Sequence, residues 1–431
     1  MNYALVSRHW FEQAMRCINA IIDPMAFERR LCDDTSSSFQ RSVSHTVFPW
    51  SNATELHNKL SYLTNTTQGL PVSIAIKANA LSQFIDHLVA NDHLRITQLA
   101  TTKLQPNIID HASLATVTSL VVDPSLFRCE KATLRYQSHW LAGLLTSMPQ
   151  LTSIDSRFEP LDASSLLVAF GSTSLQVLKV WLPMDCNMPR YWSHDDQDND
   201  RRVEHLFDQL AANRSLRTLS LTAVQHEPDD EPMYPDVEEH SQAHFAHCLT
   251  NALKNNVSLR KLVLSGHCSA IYKKTVLDGV LHSSTITSLS LVNYALGNPD
   301  TLAFLCQTLI ARKGVNSSGF LTLDISNNGF RGPQCSQLIG SLITSVRLVR
   351  RLKMILNPFS MEDYQSILHS VQAASDSLEY LHIDPPSTST GLSSENAPSF
   401  IGKVAILGCN EWYTETEWYG KYKYPERLFS W

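Results

Sequence analysis

Two stretches of this 431-residue chain concentrate residues that could do chemistry. Residues 225–240, QHEPDDEPMYPDVEEH, place seven carboxylates between His226 and His240, with no Lys or Arg among them. Carboxylates and imidazoles are cation ligands, but the cluster lacks the spacing of a ligand loop. It reads either as a solvated loop or as a contact loop for a basic partner. Residues 346–353, VRLVRRLK, hold Arg347, Arg350, Arg351 and Lys353, which alternate with Leu352 and Met354 as the outer face of a strand would. The 17 histidines do not fall into ligand-spaced pairs, and the nine cysteines are scattered without any CxxC pair. A GxSxG elbow, an HExxH helix and a GxxxxGK phosphate loop are all absent from the sequence. The expectation is a protein that is not an enzyme and takes no cofactor and no metal.

The basic run belongs to a series. SLQVLKV (174–180), SLRTLSL (215–221), SLRKLVL (258–264), TITSLSL (285–291), GFLTLDI (319–325), LVRRLKM (348–354) and SLEYLHI (377–383) share apolar residues spaced three and then two apart. The final alternation is the period of a half-buried strand. Leu178, Leu219, Leu262, Leu289, Leu323, Leu352 and Leu381 mark their centres, separated by 41, 43, 27, 34, 29 and 29 residues. Weaker copies surround Leu99, Leu120 and Ile154. Ahead of most strands stands an apolar doublet with a third apolar residue three positions on, such as Leu338-Ile339 with Leu342 and Ile367-Leu368 with Val371. That is helical spacing. A helix and a strand repeated at fixed offset cannot bury their apolar faces alone, so each unit must stack on its copies.

LTLDISNNGF resembles the leucine-rich-repeat pattern LxxLxLxxN, with Phe320, Leu323, Ile325 and Asn328 at its fixed positions; Val349, Leu352, Met354 and Asn357 repeat it. The repeat length and the helix in each unit are similar to the ribonuclease-inhibitor subclass. The resemblance covers roughly residues 90–384 and implies an α/β leucine-rich-repeat solenoid (horseshoe) of about ten repeats, with a parallel concave sheet and convex helices. Pro183, Val224, His267, Tyr294 and Pro386 stand at the Asn position elsewhere, which implies a less regular ladder of backbone bonds.

The outward residues of each strand line the concave face, where such folds bind partners. They are Val177, Lys179 and Trp181; Thr218 and Ser220; Lys261 and Val263; Ser288 and Ser290; Thr322 and Asp324; Arg351 and Lys353; Tyr380 and His382. From these, Lys179, Trp181, Lys261, Asp324, Arg351, Lys353, Tyr380 and His382 are the expected partner contacts; Trp181, Tyr380 and Arg351 are the side-chain types enriched at binding hot spots.

Bulk composition sets the setting. The formal net charge of −6 argues against nucleic acid or anionic lipid as a partner. No apolar run reaches the length of a membrane span, and the N-terminus lacks a signal-peptide layout. Unpaired cysteines suit the cytoplasm or nucleus, where sequons such as Asn65-Thr-Thr and Asn213-Arg-Ser go unused.

The first residues need their own account. Val6, Trp10, Phe11, Ala14, Met15, Ile18 and Ile22 recur at steps of three and four, which predicts a helix from Ala4 to about Ile22. Within it, Leu5, Val6, Ser7, Arg8 and Trp10 resemble the final helix of an F-box. F-box proteins with leucine-rich repeats are substrate receptors of SCF ubiquitin ligases, so the resemblance implies adaptor binding if a full F-box exists upstream. The other reading is a plain repeat scaffold or inhibitor that binds one protein. The expected layout is a partial F-box-like or capping helix at 1–30, a cap and transition at 31–90, the solenoid at 91–384 with polar insertions at 183–202 and 225–240, a Ser/Pro-rich loop at 385–399 and an aromatic C-terminal cap at 400–431.

Overall fold

The computed structural model describes residues 19–21, 72–78, 94–101, 115–122, 145, 147–160, 163–183, 196–224, 235–266, 270–311, 322–345, 349–373, 378–384, 399–401 and 404–407. The chain divides into two compact units, Met1–Leu259 and Arg260–Trp431.

The first unit holds a parallel sheet in sequence order: β1 (Asn19–Ile21), β2 (Val72–Ala78), β3 (Leu94–Thr101), β4 (Ser119–Val122), β5 (Ser153–Pro160), β6 (Val177–Pro183) and β7 (Thr218–Val224). Helices α1 (Ala163–Gly171), α2 (Asp196–Ala212) and α3 (Pro235–Asn255) alternate with its later strands. Leu99, Leu120, Ile154, Leu178 and Leu219 are direct register partners along the sheet, and all are buried. Behind them, Phe170, Phe207 and Phe245 pack helix against helix, with ring centroids 6.5 and 4.8 Å apart.

The second unit repeats the plan with β8 (Lys261–Ser265), α4 (Ala270–His282), β9 (Ser288–Val292), α5 (Pro299–Ala311), β10 (Thr322–Asp324), α6 (Pro333–Ser345), β11 (Arg351–Lys353), α7 (Met361–Ala373), β12 (Tyr380–His382), β13 (Ser399–Ile401) and β14 (Val404–Leu407). Leu262, Leu289, Leu323, Leu352, Leu381 and Ile406 stand in one register row. β13 folds back antiparallel on β14, which closes the run of parallel strands. The molecule is an α/β leucine-rich-repeat solenoid, with strand and helix in each turn.

What locks the turns together is a polar ladder. Asn328, 5% exposed, donates from Nδ2 to the carbonyls of Leu291 (2.7 Å), Ile325 (2.9 Å) and Ser326 (3.0 Å). Its Oδ1 accepts the amides of Tyr294 (2.9 Å) and Leu296 (3.2 Å) in the preceding turn. Asn357 does the same one repeat on, accepting from the Asn328 and Phe330 amides. Just before this ladder, Gly266, Asn293, Asn327 and Leu356 occupy one equivalent position, and all four have positive φ (100°, 54°, 53° and 61°). Gly and Asn tolerate that region; a leucine is strained there. The amides of Gly266, Asn293 and Asn327 each donate to a carbonyl of the next turn, whereas Leu356 N donates to the Asp384 carboxylate at 2.6 Å. A side chain thus substitutes for a backbone acceptor where the repeats run out.

The first unit carries a second ladder at its helix C-termini. Asn213 Nδ2 donates to the carbonyls of Phe170 (2.6 Å) and Ser172 (3.0 Å), and its Oδ1 accepts the amides of Ser215 and Leu216. Asn256 copies it, bonding the carbonyls of Leu210 and Asn213 and the amides of Ser258 and Leu259. These buried asparagines tie each helix end to the start of the following strand and to the turn before it.

Three expectations change. Residues Asn19–Ile21 form a strand on β2, not the last turn of a helix reaching Ile22; β-branched Ile21 and Ile22 suit a pleated surface as well as a helical face. The strand β2 falls inside the stretch expected as a cap at 31–90, so the sheet starts earlier than 91. Both polar insertions are shorter than read, because α2 begins at Asp196 and α3 at Pro235. Acidic residues and a first-position proline are loop-like in composition, but they are also what a helix N-terminus favours. The expected helix before Asn19 and its F-box-like residues, the Ser/Pro loop at 385–398 and the aromatics beyond 407 lie outside the described residues.

Candidate functional site

The outward strand face of the second unit, expected to be concave, is set by register. One row runs Lys261, Ser288, Thr322, Arg351, Tyr380; the other runs Val263, Ser290, Asp324, Lys353, His382. Neighbours in a row sit on adjacent strands, about 4.8 Å apart. The buried Leu323, Leu352 and Leu381 lie between the two rows and hold every outward residue on a rigid backbone.

Within the second row, Lys353 Nζ faces Asp324 Oδ2 at 4.0 Å, with both side chains mostly covered. The other Asp324 oxygen accepts the Ser326 hydroxyl at 2.6 Å and the Ser326 amide at 3.1 Å. His382 stacks edge-on to Tyr380, with ring centroids 6.2 Å apart. Burial, and then the neighbouring Lys353, hold the His382 imidazole below its usual pKa, against the opposing pull of Asp384 and Asp324. At neutral pH it is a neutral ring. Arg351 differs from all of these: it is exposed and pairs with no described residue. The preceding Arg350 is instead occupied by Glu379 at 3.4 Å.

Strict alternation fails in the shorter-chain part of this face. Val263 and Ser290, expected to face outward, are buried, as is Ser220 in the first unit. Lys261, Ser288, Thr322, Asp324, Lys353 and Tyr380 on the same face are half-buried, and Arg351 is exposed.

In the first unit, Lys179 donates to Asp155 Oδ2 at 2.9 Å, in direct register across β5 and β6. Asp155 is only 5% exposed. One of the lysine's three donors, and its charge, are therefore committed internally, which weakens it as a free contact. Asp155 was not foreseen, although its place one residue after Ile154 puts it on the outward face. The Trp181 backbone lies in β6 beside Thr222, and its side chain is outside the described residues. The eight expected contacts thus fall into two sets, Lys179 and Trp181 in one unit and the rest in the other.

Chemistry finds little to use. Among the described residues no three His, Cys, Asp or Glu side chains are grouped to hold a metal ion. Burial and the adjacent Cys335 push the Cys306 thiol up to about 12, so it is no nucleophile. Among the described residues no helix is long and apolar enough to cross a membrane.

No protein-family model matches the sequence. No curated protein matches it either. Similar solved structures include the tropomodulin C-terminal domain of Caenorhabditis elegans, 15% identical over 50% of this chain and 93% of that one, with a TM-score of 0.23. An internalin from Listeria monocytogenes is 12% identical over 80% of this chain and 87% of its own, with a TM-score of 0.33. TLR13, solved as a complex with ssRNA13, is 13% identical over 81% of this chain, which spans 44% of that one, with a TM-score of 0.32. The fold itself is read from the register of the chain's own strands and from its asparagine ladders.

Proposed function

We propose that this chain is a protein-recognition module that holds its partner on the concave strip formed by Thr322, Asp324, Arg351, Lys353, Tyr380 and His382. The observation that carries the reading is Arg351, an exposed guanidinium fixed on a strand whose centre is locked by Leu352. Arginine and tyrosine supply large contact area and directional donors, and a rigid strand presents them at little entropic cost. Small, half-buried Ser288 beside them leaves room for a partner's side chain. In subclass terms, the helix in each unit and the 29-residue spacing of Leu323, Leu352 and Leu381 support a ribonuclease-inhibitor-like reading.

A finer reading attaches the strip to ubiquitin transfer. Leu5, Val6, Ser7, Arg8 and Trp10 support it through their likeness to the end of an F-box, which would make the chain a substrate receptor of an SCF ligase. The alternative is a repeat scaffold or inhibitor with no ubiquitin link. Affinity capture with the wild-type chain, compared with an Arg351→Ala/Tyr380→Ala variant and with a helix-face control, Gln365→Ala/Gln372→Ala, tests the module. Partners lost only with the concave variant support it; partners lost only with the helix-face control count against it. A pull-down with purified SCF adaptor, with and without any upstream coding segment, separates the two finer readings.

A further inference from the structure

We infer that the concave strip recognises one carboxylate of its partner, an Asp or Glu side chain on an exposed segment, through Arg351. This rests on the concave-face reading above and names the chemistry of the partner. Charge decides it. Lys353 and Asp324 face each other and cancel, and His382 is an uncharged ring beside them. Arg350 is taken by Glu379. Lys261 lies three strands away along the row, about 14 Å. Among the described residues of β10, β11 and β12, Arg351 is the cation left without a partner, on a chain whose net charge is −6. A patch of opposite sign to the whole molecule is a place where an acidic segment is drawn in locally while being repelled elsewhere, which favours one docking position.

The match is to a carboxylate and not to a phosphate group. A guanidinium forks onto a carboxylate with two parallel bonds and cancels its one charge. A phosphate ester carries close to two charges and calls for several cations. Among the described residues, Arg350 and Lys353, the cations nearest Arg351 in sequence, face carboxylates of this chain. Beside Arg351 in its row, Thr322 carries a hydroxyl group, which suits a remaining lone pair of a bound carboxylate.

Random dodecapeptides displayed on phage, selected on the purified 431-residue chain, provide the probe. The expected consensus holds one Asp or Glu at a fixed place, next to apolar residues. Synthetic copies should bind Arg351→Gln about tenfold to a hundredfold more weakly than wild type, the range of a charge-assisted bond. Exchanging the peptide carboxylate for Lys should restore binding to Arg351→Glu. Thermal unfolding of both variants should match wild type, because Arg351 is exposed. Enriched peptides without a fixed acidic residue overturn the assignment, as do failure to enrich any peptide over an Arg351→Glu background and tighter binding of a phosphoserine copy. A Thr322→Trp variant separates the two levels. If it blocks binding while Arg351→Gln does not, the concave face stands and the carboxylate anchor falls. If neither variant matters, both fall.

Discussion

Replacing Asn328 by Ala is the sharpest test of how the solenoid holds together. The side chain makes five hydrogen bonds, three donated to carbonyls and two accepted from the Tyr294 and Leu296 amides. At 5% exposure the side chain is buried, so these bonds are shielded from bulk solvent. Ala leaves those two buried amides without their acceptor, at roughly 1–3 kcal/mol each, so the loss is about 2–6 kcal/mol. The adjacent Asn327 offers a matched control. Its side chain makes no bond with a described residue and its φ is 53°, so Asn327→Gly keeps the backbone comfortable and should change stability by about 0.5 kcal/mol or less. Native-state hydrogen exchange at rising urea reads both the size and the place. In Asn328→Ala the Tyr294 and Leu296 amides should lose protection first. The ladder account is refuted if the two variants are equally stable and Tyr294 exchanges as in wild type.

Other outcomes follow from single positions. Leu323→Ala should cost roughly 2–5 kcal/mol by urea unfolding, and outward Thr322→Ala about 0.5 kcal/mol or less, since only the first opens a cavity. Leu356→Asn should raise stability by up to about 1 kcal/mol by relieving a left-handed leucine, as Asn already does at the equivalent 293 and 327. Asp363 closes the first turn of α7. Burial alone would raise its pKa, but hydrogen bonds from Ser360, Ser336 and Gly332 outweigh that and hold it below the ordinary 3.8. The stability it contributes is therefore complete above the unfolded carboxylate value and is lost as pH falls through the lower folded value; Asp363→Asn should flatten that acid-side slope. Iodoacetamide at pH 8 should leave Cys306 unmodified until the chain is unfolded.

Much of this was legible in the sequence, and the rest failed for definable reasons. The marker leucines from Leu178 to Leu381 are register partners within their units because a strand's period of two leaves one phase that buries them. Asn328 and Asn357 were readable because the pattern fixes their offset from Leu323 and Leu352. Asn213 and Asn256 were not, because they sit after helices, outside that pattern; their shared N-x-S-L context was the available signal. It also gives Asn213-Arg-Ser a structural reason, since the amide is buried in the ladder. Charged, proline-bearing residues near Asp196 and Pro235 hid two helix starts, because composition reports exposure and not backbone conformation. On the concave face, Lys353 was identified from type alone, but its pairing with Asp324 depends on register between strands 29 residues apart, and that pairing is what leaves Arg351 as the available charge.

The measurement closest to the central claim is the affinity of a captured partner for the full chain carrying Arg351→Ala/Tyr380→Ala, set against Gln365→Ala/Gln372→Ala on the helix face. If the concave strip is the recognition surface, the first pair weakens binding at least about tenfold and the second leaves it unchanged. Equal affinity for wild type and the concave variant, with loss confined to the helix-face pair, would contradict it.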